Sequence, residues 1–91
     1  MSAKTIRMSI ADMLDDLSEH NLEKFCHQLL DRREEPLIRR TRVEGKSRLQ
    51  IVDVLVSTFM EQEAAQVSVD ILRQINCNEE AQKLARATGG R

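Results

Sequence analysis

Hydrophobic residues recur at intervals of three and four positions along most of this chain. That spacing places them on one face of an α-helix, with polar residues on the other faces. Serine N-caps and breaks in the pattern mark where one helix ends and the next begins. The pattern predicts helices over about residues 3–17, from Ser18 as N-cap to about Asp31, from Ser47 as N-cap through Phe59, over about Gln62–Asn76, and from Asn78 as N-cap to the Gly-Gly pair at 89–90.

The charged stretch RREEPLIRR interrupts this periodicity. Pro36 disfavours a helical conformation in the residue before it and has no backbone N–H to donate, so the stretch is predicted to be a connection. We expect one short helical turn near Thr41–Glu44, closed by Gly45. Ser47 is then followed three residues later by Gln50, which is the spacing of a capping box.

Two stretches also fit β-strands. LQIVDVLV is rich in β-branched residues, and VSVDI alternates apolar and polar positions. We predict helix for both, because an isolated pair of strands is only marginally stable and because each stretch also continues a helical stripe. The first stripe is formed by Leu49, Ile51, Val52, Leu55, Val56 and Phe59, and the second by Ala64, Val67, Ile71 and Ile75.

The sequence therefore predicts an all-α fold, a bundle of about five long helices and one very short third helix. The core is expected to form where the apolar stripes of these helices meet. The predicted core residues are Ile10, Leu14, Leu17, Leu22, Phe25, Leu29, Leu55, Phe59, Ile71 and Ile75.

Length and composition predict a small intracellular domain. A chain of 91 residues hides only roughly 60 to 65% of its unfolded surface, which leaves little volume for a deep pocket. No apolar run approaches the ~18 residues that span a bilayer, and we find no apolar signal-peptide core. Cys26, expected in the core, and Cys77 lack CxxC and Cys/His spacing, so both are expected to be reduced thiols. We therefore expect a cytoplasmic protein that does not bind membranes.

No arrangement of residues in the sequence indicates catalysis. His20 and His27 lie seven positions apart, and no third metal ligand is placed near them. Adjacent carboxylates such as Asp15 and Asp16 are more typical of a solvated helix face than of an acid/base pair. The chain also lacks a glycine-rich phosphate loop and a nucleophile motif. The sequence therefore predicts neither an enzyme nor a protein that holds a metal or cofactor.

Seven of the fourteen Lys and Arg residues lie between positions 31 and 49, although the formal net charge of the chain is -1. Such a cluster can neutralise phosphates, so a small helical nucleic-acid-binding domain that uses residues 32–48 is an alternative function. The interleaved Glu34, Glu35 and Glu44, together with an aromatic content of 2%, weaken that interpretation. A merely solvated loop is the second alternative.

Acidic residues elsewhere in the chain complement this basic cluster. We define an acidic face on the first and fourth helices, and a basic face on the second helix and the connection after it. Because the two faces differ, contact between copies is predicted to be head-to-tail, and its repetition without closure gives a helical filament. The acidic face consists of Asp12, Asp15, Asp16 and Asp53, and the basic face of Lys24, Arg39, Arg40, Arg42 and Lys46.

Several stretches of the chain resemble pyrin domains. LDDLSEHNLEKFCHQLLD is similar to the family's signature for helices 1 and 2, in which a Leu-x-x-Leu pair is followed by a Glu/Lys-rich turn and Leu-x-x-Phe-x-x-x-Leu. EPLIRRTRVEG resembles the family's loop with its Ile-Pro-Arg element, LQIVDVLVSTF its fourth helix, and AAQVSVDILRQINCNEEAQKLARATG its paired last helices. The resemblance covers nearly the whole chain. It implies a six-helix antiparallel death-fold bundle with a short third helix, and homotypic assembly in inflammasome signalling.

The resemblance also implies where the interface lies, because the family joins acidic positions on helices 1 and 4 to basic positions on helices 2 and 3. Asp12, Asp15 and Asp53 match the acidic positions. Lys24 and Arg40 match the basic ones. The implied partners are other pyrin domains, on copies of this chain and on adaptors or receptors, and not nucleic acid.

The chain departs from the family pattern at three positions. Glu23 and Gln28 stand where many members have lysine, and Arg39 replaces the proline of Ile-Pro-Arg. The basic character has thus moved from the second helix into the connection after it. We further expect residues 1–89 to form the pyrin-like domain of a larger protein, with a flexible linker starting at 90–91.

Overall fold

The computed structural model describes residues 5–88, which fold into helices without a strand. The predicted all-α fold is confirmed, and both stretches that also fitted β-strands are helical. The predicted helix start at residue 3, the Gly-Gly pair at 89–90 and the linker at 90–91 lie outside the described residues. The helices are α1 Ile6–Asp16, α2 Glu19–Leu30, α3 Arg40–Val43, α4 Arg48–Gln74 and α5 Asn78–Ala87.

Helix α4 contains the predicted fourth and fifth helices joined without a loop. Met60 interrupts it with a backbone φ of 67° and ψ of 164°, so residues 48–59 and 61–74 are two helical segments that meet at a kink. We call them the first and second segments of α4. Counted in this way, the described part of the chain contains the six predicted helical segments, with α3 as the short third one.

Met60 is expected to be strained, because its φ and ψ lie in a region that is populated almost entirely by glycine. Its side chain is also 73% exposed, so little packing is lost when it is removed. Replacement of Met60 by glycine should relieve about 1–3 kcal/mol of backbone strain. It should cost about 0.5–1 kcal/mol, because glycine loses more conformational freedom on folding. Met60→Gly is therefore predicted to stabilise the fold by about 1 kcal/mol. Thermal unfolding should then show a melting temperature roughly 4–8 °C higher.

Met60→Ala is the matched control for this prediction. Alanine keeps the Cβ atom, and therefore the strain, and its expected effect on the free energy of unfolding is within about 0.5 kcal/mol. If the glycine variant were no more stable than the alanine variant, the backbone at position 60 would not be strained.

Local hydrogen bonds explain where α1, α2 and α4 begin. The Thr5 hydroxyl accepts from the Met8 amide at 3.1 Å, and the Ser18 hydroxyl accepts from the Asn21 amide at 3.1 Å. Ser47 and Gln50 form the predicted capping box, in which each side chain accepts a hydrogen bond from the other residue's backbone N–H. These contacts satisfy amides that have no partner within the helix.

The predicted N-cap of the last helix is wrong by one residue. Asn76 follows the C-cap residue of α4 and has a left-handed conformation with a φ of 66°, and its amide donates to the Arg73 carbonyl. The Cys77 amide donates to the Leu72 carbonyl at 2.8 Å, which completes a Schellman motif. Cys77 thereby occupies the N-cap position of α5 without a capping side chain, and Asn78 is the first helical residue.

The core forms around α4. Helices α1 and α5 pack against α4 and against each other, while α2 and α3 pack against α4. Nine of the ten predicted core residues are buried. They are Ile10, Leu14, Leu17, Phe25, Leu29, Leu55, Phe59, Ile71 and Ile75.

Four residues that were expected to be buried are more exposed than the sequence pattern predicts. Leu22 and Val56 are only partly buried at the edge of the core, as is Cys26. Leu49 is 67% exposed, because it lies about 200° around α4 from the buried Ile51 and therefore points away from the core. Leu22 is left open because α3, which faces this side of α2, has only four residues.

Candidate interaction surface

Arg32 belongs to the basic cluster in sequence but serves the fold. Its guanidinium lies 4.8 Å from the centroid of the Phe59 ring and donates to the carbonyl oxygens of Glu34 and Pro36, at 3.3 and 3.2 Å. It also pairs with the Glu34 carboxylate at 3.5 Å, and its side chain is only 17% exposed. Arg32 therefore holds the α2–α3 connection against the end of the first segment of α4.

Arg32→Ala is predicted to lower the free energy of unfolding by about 1–2 kcal/mol, because it removes a cation–π contact and two hydrogen bonds to backbone carbonyls. Arg33→Ala is the matched control, since Arg33 is exposed and its loss should change the free energy by less than about 0.5 kcal/mol. Urea denaturation followed by circular dichroism measures both. Equal effects of the two substitutions would contradict the assigned role of Arg32.

Arg48 is the second cation of the cluster that serves the fold. Its guanidinium donates to the carbonyl oxygen of Leu14 and, at 2.7 Å, to that of Leu17. A weaker ion pair joins it to Glu19 at 3.8 Å. Arg48 therefore adds a donor to the Leu14 carbonyl, which also accepts from the Leu17 amide, and ties the start of α4 to the α1–α2 corner.

The other five cations of the cluster are exposed, and none of them makes an ion pair with another residue in the range 5–88. Four of them belong to the basic face, and Arg33 adds to it. These charges therefore form no stabilising ion pair within the described chain, and they are available to a partner. The five residues are Arg33, Arg39, Arg40, Arg42 and Lys46.

Lys24 is exposed on α2 but lies apart from the rest of the basic face. The Lys24 ammonium is close enough to Cys77 to act on its thiol. Burial raises the pKa of Cys77, the carboxylate of Glu80 raises it further, and Lys24 opposes this by lowering it. The Lys24 charge thus acts on Cys77, which lies in the turn between α4 and α5. Cys26 and Cys77 are both free thiols, and burial also raises the pKa of Cys26.

Three carboxylates of the acidic face are exposed on α1, and within the described chain Asp15 and Asp16 make no ion pair. Asp12 and Asp16 line a small groove of about 160 Å³ between α1 and α5. Asp53 lies on the first segment of α4 and pairs with Arg7 of α1, with its side chain still 60% exposed. The Arg7–Asp53 pair ties α1 to α4 and brings the two parts of the acidic face together.

A groove of about 670 Å³ separates α2 from α3 and the start of α4. We call it the α2–α3 groove. Its apolar lining includes Leu22, Cys26 and Val43, and two members of the basic face, Arg40 and Lys46, also line it. Part of the basic face thus lines a groove that also offers apolar surface.

Residues 5–88 contain no group of three or more His, Cys, Asp or Glu side chains that could hold a metal ion. His20 and His27 line the α2–α3 groove instead. No helix among the described residues is long and apolar enough to cross a membrane.

The chain matches the PAAD/DAPIN/Pyrin domain family over residues 9–82. It belongs to this family. Pyrin domains are death-fold interaction modules of inflammasome signalling, and the resemblance found in the sequence is therefore confirmed. The matched range includes every residue of the acidic and basic faces.

Two zebrafish (Danio rerio) proteins are similar to this pyrin domain over most of its length. Caspase a is 41% identical over 88 residues, which is 96% of this chain and 23% of the caspase. Apoptosis-associated speck-like protein containing a CARD is 36% identical over 88 residues, again 96% of this chain and 43% of that protein. This pyrin domain therefore spans less than half the length of either relative.

Sequence reasoning missed the two cations that serve the fold and the cation that pairs with Asp53. The neighbouring sequence does not distinguish Arg32, Arg48 and Arg7 from exposed arginines. Their partners are far away in the chain or are backbone carbonyls. Only the packing of α1, the α2–α3 connection and α4 against one another decides these roles.

Proposed function

We propose that this pyrin domain assembles with copies of itself through contact between the acidic face of one copy and the basic face of the next. The observation that supports this most directly is the set of exposed cations on α3 and its flanking segments that have no ion pair within residues 5–88. Exposed carboxylates on α1 and α4 provide the opposite charge. Complementary charge of this kind favours association and fixes its orientation.

The contact is expected to be head-to-tail, because its two surfaces are different. Each added copy then leaves an unoccupied acidic face at one end and an unoccupied basic face at the other. Such an assembly continues unless the rotation between copies closes a ring, so a helical filament is the proposed product.

The proposed partners are pyrin domains on this chain's own copies and on other proteins. Similarity to a speck-like protein containing a CARD and to a caspase supports a role in inflammasome assembly, innate immunity and apoptosis. We propose that this domain recruits such proteins in the cytoplasm and itself catalyses no reaction. We also propose that the module comprises residues 1–89.

Negative-stain microscopy and sedimentation of the 91-residue chain test this function. Filaments are expected at low salt and fewer at high salt, because the Debye length falls from about 10 Å at 0.1 M to about 3 Å at 1 M. A chain that stays monomeric at every concentration and salt would contradict the proposal.

The same preparation also tests nucleic-acid binding. Arg32 and Arg48 are already occupied within the fold, so fewer cations of residues 32–48 are available to phosphates than the sequence suggests. We therefore expect no electrophoretic shift of random DNA under the conditions that support filaments. A shift without filaments would favour the nucleic-acid alternative.

A further inference from the structure

Met60 joins the two segments of α4 without a loop between them. The residues on either side of it are helical, and only Met60 departs, with a φ of 67° and a ψ of 164°. Connections between packed helices commonly contain about two to eight residues. The change of direction within α4 is therefore made by the backbone of a single residue.

The sequence around Met60 favours a straight helix. No glycine or proline occurs between residues 46 and 88, although sharp kinks in helices usually arise at those residue types. The stretch that follows Met60, Glu-Gln-Glu-Ala-Ala, consists of strong helix formers. The Met60 side chain is 73% exposed, so its own contacts contribute little to the bend. The bend is therefore maintained by the packing of the second segment and α5 against the rest of the core.

That packing buries much of the apolar surface after Met60. Ala64, Ile71, Leu72 and Leu84 are each at most 2% exposed, and they belong to one core cluster with Leu55, which precedes Met60. Helix α5 also packs against α1. A copy in which α4 straightened at Met60 would expose these side chains to water, which is unfavourable. The surface that covers them within one copy is, however, present in every other copy of the chain.

We propose that Met60 is the hinge of a helix exchange between two copies of this chain. In the exchanged form Met60 is helical, and α4 is one continuous helix of 27 residues and about 40 Å. Residues 61–88 of each copy then pack against residues 5–59 of the other. Every buried contact of the single copy is kept, while the strained backbone at position 60 is released in both chains. Short hinges under strain favour exchange for this reason.

The exchange goes beyond the proposed function and does not depend on it. It uses the core of the domain, whereas the head-to-tail contact uses surface charge. All members of the acidic and basic faces lie between residues 12 and 53, before the hinge. An exchanged pair is also closed by one reciprocal contact, whereas the head-to-tail contact repeats with every copy added.

Cross-linking between chains that each carry one cysteine measures the exchange. Asp16 on α1 and Lys83 on α5 are exposed and line the same groove, but they lie on opposite sides of the hinge in the sequence. In a background of Cys26→Ala and Cys77→Ala, one chain carries Asp16→Cys and the other carries Lys83→Cys. A short bismaleimide then joins the two chains only where α5 of one copy lies beside α1 of the other.

The two single-cysteine chains are compared after mixing in the folded state and after joint refolding from urea. Joint refolding allows each chain to pack against the other, so it should raise the yield of covalent pairs severalfold. Contact between the surfaces of folded copies would instead give the same yield in both preparations. The comparison therefore separates exchange from head-to-tail assembly.

Substitutions at Met60 test the role of the hinge, in chains that also carry Arg40→Glu to remove head-to-tail assembly. After refolding at high protein concentration, size-exclusion chromatography with light scattering measures the fraction at twice the 10.5 kDa mass of the chain. Met60→Gly should lower the ratio of dimer to monomer at least about tenfold, because glycine removes the strain that exchange would relieve in both chains. Met60→Ala is the matched control. Alanine keeps the Cβ atom and favours a helix, so this variant should dimerise at least as well as the chain with Met60.

The outcomes separate this inference from the proposed function. Equal yields of covalent pairs before and after joint refolding would overturn the exchange, as would equal dimer fractions for Met60→Gly and Met60→Ala. Exchange in a chain that never forms filaments would overturn the proposed function alone. Filaments formed by a chain that does not exchange would overturn this inference alone.

Discussion

Asp15→Lys and Arg40→Glu are each expected to prevent assembly while leaving the fold intact. Both side chains are exposed and make no ion pair with another residue among 5–88, so their reversal should change the free energy of unfolding by less than about 1 kcal/mol. At an interface, by contrast, like charges brought together can cost several kcal/mol, and the cost recurs with every copy added. Sedimentation and negative-stain microscopy measure assembly, and thermal unfolding measures the fold.

Two matched controls test whether position, rather than net charge, causes the loss. Glu63→Lys repeats the charge change of Asp15→Lys, and Arg86→Glu repeats that of Arg40→Glu, at exposed positions outside both faces. Both controls should assemble like the unmodified chain. If Asp15→Lys and Arg40→Glu also assembled normally, the charged segment would be a solvated loop with no role in self-association.

Phe25→Ala is expected to lower the free energy of unfolding by about 3–5 kcal/mol. Phe25 is fully buried on α2, in the core cluster that also contains Leu29 and Leu55. Removal of its ring loses apolar burial and leaves a cavity that the surrounding helices fill only in part. Because a domain of this size is stabilised by only about 5–15 kcal/mol in total, the variant is expected to be marginally folded. Thermal unfolding followed by circular dichroism measures the effect.

Leu37→Ala is the control for the core substitution. Leu37 is a large apolar residue that is 58% exposed in the α2–α3 connection, so its truncation should cost less than about 1 kcal/mol. A melting temperature of Phe25→Ala equal to that of Leu37→Ala would contradict the register of α2 against α4. Both residues are apolar and both substitutions introduce alanine, so burial is the main difference between the two variants.

Arg32 connects the stability of the domain to its interaction surface. It holds the connection that carries Arg33 and Arg39 against Phe59, at the end of the first segment of α4. Arg33 and Arg39 are therefore exposed on a connection that Arg32 fixes to the core. The basic cluster therefore has two roles: the partly buried Arg32 and Arg48 hold the fold together, and the remaining cations are exposed.

The sequence by itself determined the helices and most of the core. Periodicity of apolar residues is a local property, and it was sufficient to choose helix over strand for LQIVDVLV and VSVDI. Ser18 and the Ser47–Gln50 pair act within one helical turn, so their capping roles could also be read directly. The family resemblance was equally available, because its motifs extend over nearly the whole chain.

Tertiary structure alone decided what each charged or edge residue contacts. The positions of Leu49 and Leu22 fit the apolar stripes of their helices. Their exposure depends, however, on which neighbouring helix covers each position. Helix α3 is too short to cover all of α2. Likewise, Arg32, Arg48 and Arg7 differ from the other arginines only through partners that packing brings to them. The physical reason is that helix formation depends on neighbours within about four residues, whereas burial and ion pairing depend on residues from other helices.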